Sequence, residues 1–134
     1  MTKKRTSAAT AILEFMEKSD WSAVTNNTDG LDAVLGFFDT LGYGLEKKQL
    51  DADGVYEYFC DDILSYYQGC EEYIRKVHQS DPTEFVHFKP LYEAMRIAAA
   101  NQPPKISTNE IYFTKPELIK FFQSETNSVN LKDK

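Results

Sequence analysis

DADGVYEYFCDDILSYYQGCEEYIRKVHQS, residues 51–80, is the stretch from which we predict the fold. At about 100° per residue, its apolar side chains fall within one arc of about 120° around a helix, whereas Glu57, Gln68 and Arg75 fall on the opposite side. A strand would not separate the two kinds of residue. The apolar arc comprises Val55, Tyr56, Phe59, Ile63, Tyr66, Tyr67, Cys70, Tyr73, Ile74 and Val77. With Asp51 as N-cap, the pattern predicts one long amphipathic helix.

Helical periodicity predicts four further helices, which begin near Ser7, Asp29, Lys89 and Thr114. The last of them begins with a capping box, because Glu117 stands three residues after Thr114. We expect it to end near residue 124, and we expect the first to end near residue 18.

The end of the second helix is the least certain boundary in the pattern. Gly42 and Gly44 are typical helix terminators, which favours an end at one of them. Alternatively, the helix continues to Lys47 and Lys48, whose charges suit a helix C-terminus.

These elements predict an all-α protein, a compact bundle of about five helices around the long central helix 51–80. At 134 residues the chain is long enough for one domain with its own core. We assign residues 1–125 to that single all-helical domain. Residues 126–134 are polar and lack aromatic side chains, which predicts a mobile tail.

Cysteine usage and hydropathy indicate a cytoplasmic protein. Cys60 and Cys70 are ten residues apart, or about 15 Å along a helix, too far for a disulfide. Free thiols suit a reducing compartment. Glu14 and Glu17 interrupt the apolar residues after the basic start, so no signal peptide is expected. No run approaches the ~20 apolar residues of a membrane span.

The net charge of −6 is concentrated in the middle of the chain. Residues 29–84 hold thirteen acidic residues against four basic ones, a net charge of −9. A surface of that sign repels phosphate backbones, which disfavours direct nucleic-acid binding and favours a basic protein surface as partner. The alternative is a solvated face that only keeps the protein soluble.

Part of the long helix has the composition of a protein interface. Tyr58 and Leu64 project away from the apolar arc, onto a side rich in carboxylates, and so resemble the apolar centre and polar rim of an interface. Alternatively, another helix packs on this side and buries both residues. The candidate interface comprises Glu57, Tyr58, Asp61, Asp62, Leu64 and Glu72.

Metal-binding spacings are incomplete. Residues 84–87 (Glu-Phe-Val-His) have the Glu-x-x-His spacing of di-iron bundles, which need a second copy and two further carboxylates. His78 completes no second copy. Glu57 and Asp61, four residues apart, share a helix face and could bind a cation. We predict no metal and no cofactor, and we retain as the alternative a small metal-binding protein or enzyme that uses carboxylates and His87.

Catalysis has little support in the pattern. Neither cysteine is adjacent to a histidine in sequence, and no strand-to-helix elbow presents a nucleophile. Gly42-Tyr43-Gly44 follows no strand and lacks the Walker pattern, so it is not a phosphate loop. We therefore predict that the protein is not an enzyme.

The aromatic pattern also resembles a known family. Residues 35–42 read LGFFDTLG, a double-aromatic helix that is followed by a turn, a long helix with an aromatic pair and a closing aromatic segment. The matching positions are Leu50-Asp51, Val55-Tyr56, Phe59, Ile63, Tyr66-Tyr67, Ile74-Arg75, Pro82, Phe85, Phe88 and Leu91-Tyr92. Over residues 31–95 the chain is similar to a bacterial and phage family, the domain of unknown function 4760. The resemblance implies an all-helical fold and no catalytic residues. Many members carry an amino-terminal membrane helix without a counterpart here, so we expect no membrane role.

We hypothesise a cytoplasmic, non-enzymatic interaction module of bacterial or phage origin, whose acidic central face binds a basic protein surface. An inhibitor or an immunity-type factor would fit this description. The alternatives are the metal-binding protein or enzyme described above, and a structural subunit that self-associates as a homo-oligomer through Tyr58 and Leu64.

Overall fold

The computed structural model describes the backbone of residues 2–132 and the side chains of residues 3–127. Five α-helices account for most of it, and no strand occurs in this part of the chain. The predicted all-α fold with one long helix is therefore confirmed. The helices are α1 (Thr2–Lys18), α2 (Asp29–Glu46), α3 (Ala52–Ser80), α4 (Phe88–Ala100) and α5 (Lys115–Lys132).

The long helix α3 begins where its sequence predicts. Asp51 caps it, because the Asp51 side chain accepts a hydrogen bond from the Asp53 amide at 3.3 Å. Residues 63–67 are all buried. At about 100° per residue, five successive residues cover the whole circumference of a helix. Packing therefore surrounds the middle of α3, whereas its first ten residues keep one exposed face.

The chain divides into two compact units. One comprises the residues up to Gly36 together with those from Thr114 onward, and the other is Phe37–Phe113. The assignment of residues 1–125 to a single domain remains a prediction. Most of the predicted tail, residues 126–134, belongs to α5, which continues past the expected end at residue 124 as far as Lys132. Residues 133–134 lie outside the described part of the chain.

In the first unit, α1 packs against α5, and Arg5 forms an ion pair with Glu125 at 2.5 Å. A single 3-10 turn, Trp21–Ala23, follows α1 and is capped by Asp20. The Trp21 ring is buried and stacks on Phe15 at a centroid distance of 4.6 Å. The only tryptophan is thus part of the packing of this unit.

Glu14 fastens the loop between α1 and α2 to α1. Its carboxylate accepts hydrogen bonds from five donors, which are Lys18 Nζ (2.6 Å), Thr25 N and Oγ1 (both 2.8 Å), Asn26 Nδ2 (2.8 Å) and Asn26 N (3.0 Å). These bonds, that from Lys18 foremost, hold the pKa of Glu14 far below its ordinary value of 4.5. The charged carboxylate is therefore a fixed part of the fold.

We predict that Glu14→Gln lowers the melting temperature at neutral pH. Because the folded pKa lies below the unfolded one, the carboxylate stabilises the fold above pH ~4.5, and this contribution is lost as the pH falls below that value. Thermal unfolding followed by circular dichroism should show a difference between wild type and variant that shrinks in acid. Glu17→Gln, an exposed position on the same helix, is the control. If the melting temperatures of wild type and Glu14→Gln differed by the same amount at every pH, the stabilising role of the Glu14 carboxylate would be contradicted.

In the second unit, α3 packs against α4 around a group of aromatic rings. Phe88 is fully buried and stacks on Phe38 at 5.3 Å, while Tyr67 meets Phe88 edge-on at 5.2 Å. Tyr67 also stacks on Tyr92 at 4.1 Å. The aromatic residues of the family pattern thus form the core of this unit.

The connector between α4 and α5 is held by one side chain of α3. Gln68 Nε2 donates to Tyr92 Oη and to the Ile111 carbonyl, both at 3.0 Å, and Gln68 Oε1 accepts from the Phe113 amide at 2.9 Å. The connector contains only a 3-10 turn, Thr108–Glu110, so its own backbone bonds are few. Gln68 therefore supplies some of the hydrogen bonds that the connector backbone does not make with itself.

The predicted start of α5 is confirmed in atomic detail. The Thr114 amide donates to Glu117 Oε1 at 2.9 Å, and the Glu117 amide donates to Thr114 Oγ1 at 3.3 Å. This reciprocal pair is a capping box.

The start of α1 differs from the sequence-based expectation, and the structure fixes the end of α2. α1 starts at Thr2 rather than near Ser7. Asp81 is the C-cap of α3, because its amide donates to the Val77 carbonyl at 2.9 Å, and its side chain accepts from the Thr83 amide at 3.0 Å. α2 continues through both glycines to Glu46, close to the longer alternative.

Gly42 of α2 permits a close approach of the backbone rather than helix termination. A Cβ built on Gly42 would overlap the His87 carbonyl oxygen and lie 2.9 Å from the carbonyl carbon. A Cβ built on Gly44 would lie 2.8 Å from the end of the Leu50 side chain, which is flexible and can shift. The segment before α4 thus rests directly on the α2 backbone at Gly42.

Candidate interaction surface

The first ten residues of α3 present an exposed acidic face. Asp53, Glu57 and Asp61 follow one another at intervals of four residues, which places them in a row. All three are exposed. Tyr58 projects beside this row, and 75% of its surface is accessible. We call Asp53, Glu57, Tyr58 and Asp61 the Tyr58 surface.

The carboxylates of the Tyr58 surface are not neutralised within the part of the chain that the structure describes. Glu57 and Asp61 have no ion pair or hydrogen bond from a described side chain. Like charges four residues apart repel one another by a few tenths of a kcal/mol. The row therefore does not stabilise the helix on which it lies.

Two residues of the predicted interface do not belong to this surface. Leu64 was expected to project outward, but it is only 3% exposed, because packing surrounds α3 on all sides over residues 63–67. The prediction that Leu64 projects outward is thus wrong. The alternative, in which the residue is buried, holds for Leu64 but not for Tyr58. Glu72 is exposed, but its carboxylate pairs with Arg75 at 2.5 Å, so its charge is compensated.

Asp62 lies at the edge of the Tyr58 surface. It is intermediate in exposure and it has contacts of its own. At a rotation of about 100° per residue, Asp62 lies next to Tyr58 around the helix, on the side of Tyr58 opposite to Asp61. Tyr58 is thus flanked by acidic residues on both sides.

Two acidic side chains of α2, Asp39 and Glu46, have structural roles instead. Asp39 Oδ1 accepts a hydrogen bond from the His87 amide at 2.7 Å. Glu46 Oε2 lies 3.0 Å from His87 Nδ1, and the Tyr43 ring meets the imidazole edge-on at 5.2 Å. These contacts hold the segment before α4 against α2, so the acidity of this part of the chain has more than one purpose.

The residues proposed for the metal alternative do not converge in the described part of the chain. No three side chains of histidine, cysteine, aspartate or glutamate there are grouped as metal ligands. The His87 ring instead contacts Glu46 and Tyr43. His78 Nε2 lies 2.6 Å from the Glu84 carbonyl oxygen, a contact that restrains its ring.

The two cysteines are free thiols. Burial raises the pKa of Cys60 from 9.0 to about 11, and the neighbouring Asp61 carboxylate adds to the effect. Cys70 is fully buried, and this burial raises its pKa well above its ordinary value. Neither environment produces the thiolate that a nucleophilic cysteine needs.

We predict that iodoacetamide modifies native Cys60 about a hundredfold more slowly than the unfolded chain, because a rise of two pKa units reduces the thiolate fraction by that factor. Cys70 should not react until the protein unfolds. Mass spectrometry after timed alkylation, with and without denaturant, measures both rates. Rapid alkylation of either native cysteine would show that its thiol is activated.

Comparison with known families gives a match over most of the chain. A family model described as "Domain of unknown function (DUF4760)" matches residues 2–95, further toward the amino terminus than the resemblance over residues 31–95 indicates. The match includes the Tyr58 surface. No curated protein and no solved structure gives a significant match to the chain. Within the described residues, no helix combines the length and the apolar composition needed to cross a bilayer.

Proposed function

The chain belongs to the DUF4760 family, whose description assigns no activity, and we propose that it is a non-enzymatic protein-interaction module. In this proposal the Tyr58 surface binds a basic region of a partner protein in the cytoplasm of a bacterium or of a phage-infected cell. An inhibitor or an immunity-type factor would act in this way. The observation that carries the proposal is a tyrosine with 75% of its surface exposed beside carboxylates that no described side chain neutralises.

Tyrosine is among the residues that contribute most to interface affinity. A large ring loses little side-chain entropy on binding, and a central aromatic residue is often worth about 2 kcal/mol or more. Tyr58 makes few contacts in the free protein, so its apolar surface is available to a partner. The ring and the carboxylates together would accommodate an arginine or lysine flanked by apolar atoms.

The carboxylates of the Tyr58 surface, which no described side chain neutralises, would determine which partners approach. Residues 29–84 carry a net charge of −9, a field that accelerates encounters with basic proteins and repels nucleic acids. Charged residues at an interface rim change association rates and salt dependence more than they change affinity. We therefore assign selection of the partner to Glu57 and Asp61, and affinity to Tyr58.

Self-association through this surface is disfavoured by symmetry. In a two-fold dimer, the same patch of each copy meets its counterpart. Glu57 and Asp61 of the two copies would then lie near one another, and like charges juxtaposed in an interface cost several kcal/mol. Because Leu64 is buried, only Tyr58 would remain as an apolar contact. A basic partner avoids this cost.

The test is capture of partners from the native host on immobilised protein, followed by mass spectrometry. We expect wild type to retain a protein with a basic surface, and the double variant Tyr58→Ala/Asp61→Lys to lose it. The matched control is Ile97→Ala/Glu110→Lys, which removes another exposed apolar side chain and reverses another exposed charge.

Retention by wild type and by the control, but not by the Tyr58→Ala/Asp61→Lys variant, would support the proposal. Equal retention by all three proteins would refute it. Light scattering on the purified protein tests the self-association alternative directly, because a dimer that dissociates in the Tyr58→Ala/Asp61→Lys variant would assign the surface to a second copy.

A further inference from the structure

A cleft of about 300 Å³ opens between the C-terminal half of α3 and residues 85–89. Its lining consists of Tyr67, Glu71, Ile74, Arg75, His78, Phe85, Val86 and Lys89. All of these residues lie in the second unit, and none belongs to the Tyr58 surface. We call this feature the Lys89 cleft.

The floor of the Lys89 cleft is apolar and rigid. Tyr67, Ile74 and Phe85 are at most 8% exposed, so they form its bottom rather than its rim. The Tyr67 ring stacks on Tyr92 and meets Phe88 edge-on, so its position is fixed. A floor of two aromatic rings and one branched aliphatic side chain fits an apolar body of similar size.

Phe85 reaches the floor through an unusual backbone conformation. Its φ of 55° lies in the left-handed region, which a bulky residue rarely adopts because its Cβ approaches the backbone. Hydrogen bonds on its C-terminal side hold this conformation, from the Phe88 amide to the Phe85 carbonyl and from the His87 amide to Asp39. Strain of this kind is often retained where it positions a side chain for binding.

The rim of the cleft holds two exposed basic side chains, Arg75 and Lys89, and His78, whose ring is restrained by the Glu84 carbonyl. Arg75 pairs with Glu71 of the lining at 3.5 Å and with Glu72 at 2.5 Å, so its charge is compensated. Lys89 has no ion pair from any side chain within residues 3–127. Its ammonium group is therefore available to an anion.

We propose that the Lys89 cleft binds a small organic carboxylate with an aromatic or branched aliphatic body. The body would lie on Phe85, Tyr67 and Ile74, and the carboxylate would pair with Lys89 at the rim. A volume of about 300 Å³ is at the lower end for small-molecule sites, which suits one ring and a short acid chain and excludes a nucleotide. This site is independent of the proposed interaction surface.

The probe for this proposal is hydrocinnamate, an aromatic ring on a short carboxylic acid chain. It is titrated into the full chain at neutral pH, and binding is followed by nitrogen–proton correlation spectra. We expect saturable shifts of the amides of Tyr67, Ile74 and Phe85. Phenylpropanol, which has the ring without the charge, and acetate, which has the charge without the ring, should both bind more weakly.

Two variants test the role of the rim. Lys89→Gln should weaken hydrocinnamate binding by about fivefold or more, because it removes the unpaired cation. Lys76→Gln, an exposed lysine of α3 outside the cleft, should leave binding unchanged. Melting curves of both variants establish that the fold is retained. Absence of saturable shifts, equal binding of phenylpropanol, or an equal effect of the two substitutions would overturn the proposal.

Discussion

Gly42→Ala should lower the free energy of unfolding by about 2–4 kcal/mol, although alanine is favoured over glycine within a helix by about 1 kcal/mol. The added methyl group would overlap the His87 carbonyl oxygen and lie 2.9 Å from its carbon. Backbone atoms cannot rotate away as a flexible side chain can. The segment before α4 would have to move, and the His87 amide would lose Asp39 as its acceptor.

The same helix provides the matched control for this substitution. A Cβ built on Gly36 meets nothing within 4 Å, so Gly36→Ala should stabilise the protein by about 0.5–1 kcal/mol. Urea unfolding followed by circular dichroism gives both free energies. If the two substitutions had effects of the same sign, the close approach of His87 to Gly42 would be wrong.

Phe88→Ala should be more costly, at about 3–5 kcal/mol. Phe88 is fully buried and has two aromatic neighbours, Phe38 at 5.3 Å and Tyr67 at 5.2 Å. Truncation would leave a cavity among rings that cannot easily collapse, because Tyr67 is also stacked on Tyr92. The loss is measured by the same urea titration, with Phe88→Leu as an intermediate case.

Tyr58→Ala is the comparison that separates core from surface. With 75% of its surface exposed, Tyr58 should contribute less than about 0.5 kcal/mol to stability. A loss for Tyr58→Ala that approaches the loss for Phe88→Ala would mean that Tyr58 packs against the protein. Its availability to a partner would then be excluded.

The parts of the fold that the sequence predicts are those with local causes. The amphipathic pattern of residues 51–80 and the capping box of Thr114 and Glu117 depend on residues within a few turns of one another. Both are found as predicted. The apolar arc also predicts that Ile63, Tyr66 and Cys70 face the core, and all three are fully buried.

The features that the sequence does not predict depend on distant neighbours. Gly42 and Gly44 have the signature of a helix end, and only the structure shows that α2 continues to Glu46 and that the His87 backbone approaches Gly42. Leu64 lies off the apolar arc, and a helical projection cannot show how many neighbours surround a helix. The Lys89 cleft depends on the left-handed backbone at Phe85, which no local pattern indicates.

The most direct test of the interaction surface is the salt dependence of affinity for the captured partner. Raising the salt concentration from about 50 mM to 500 mM shortens the screening length severalfold. Isothermal titration calorimetry over this range measures the dissociation constant at each concentration. We predict that the dissociation constant of wild type rises at least tenfold over this range, and that Asp61→Lys weakens binding at low salt and flattens the dependence. An affinity that is indifferent to salt, or unchanged by Asp61→Lys, would contradict the proposal that the acidic face of α3 binds a basic protein.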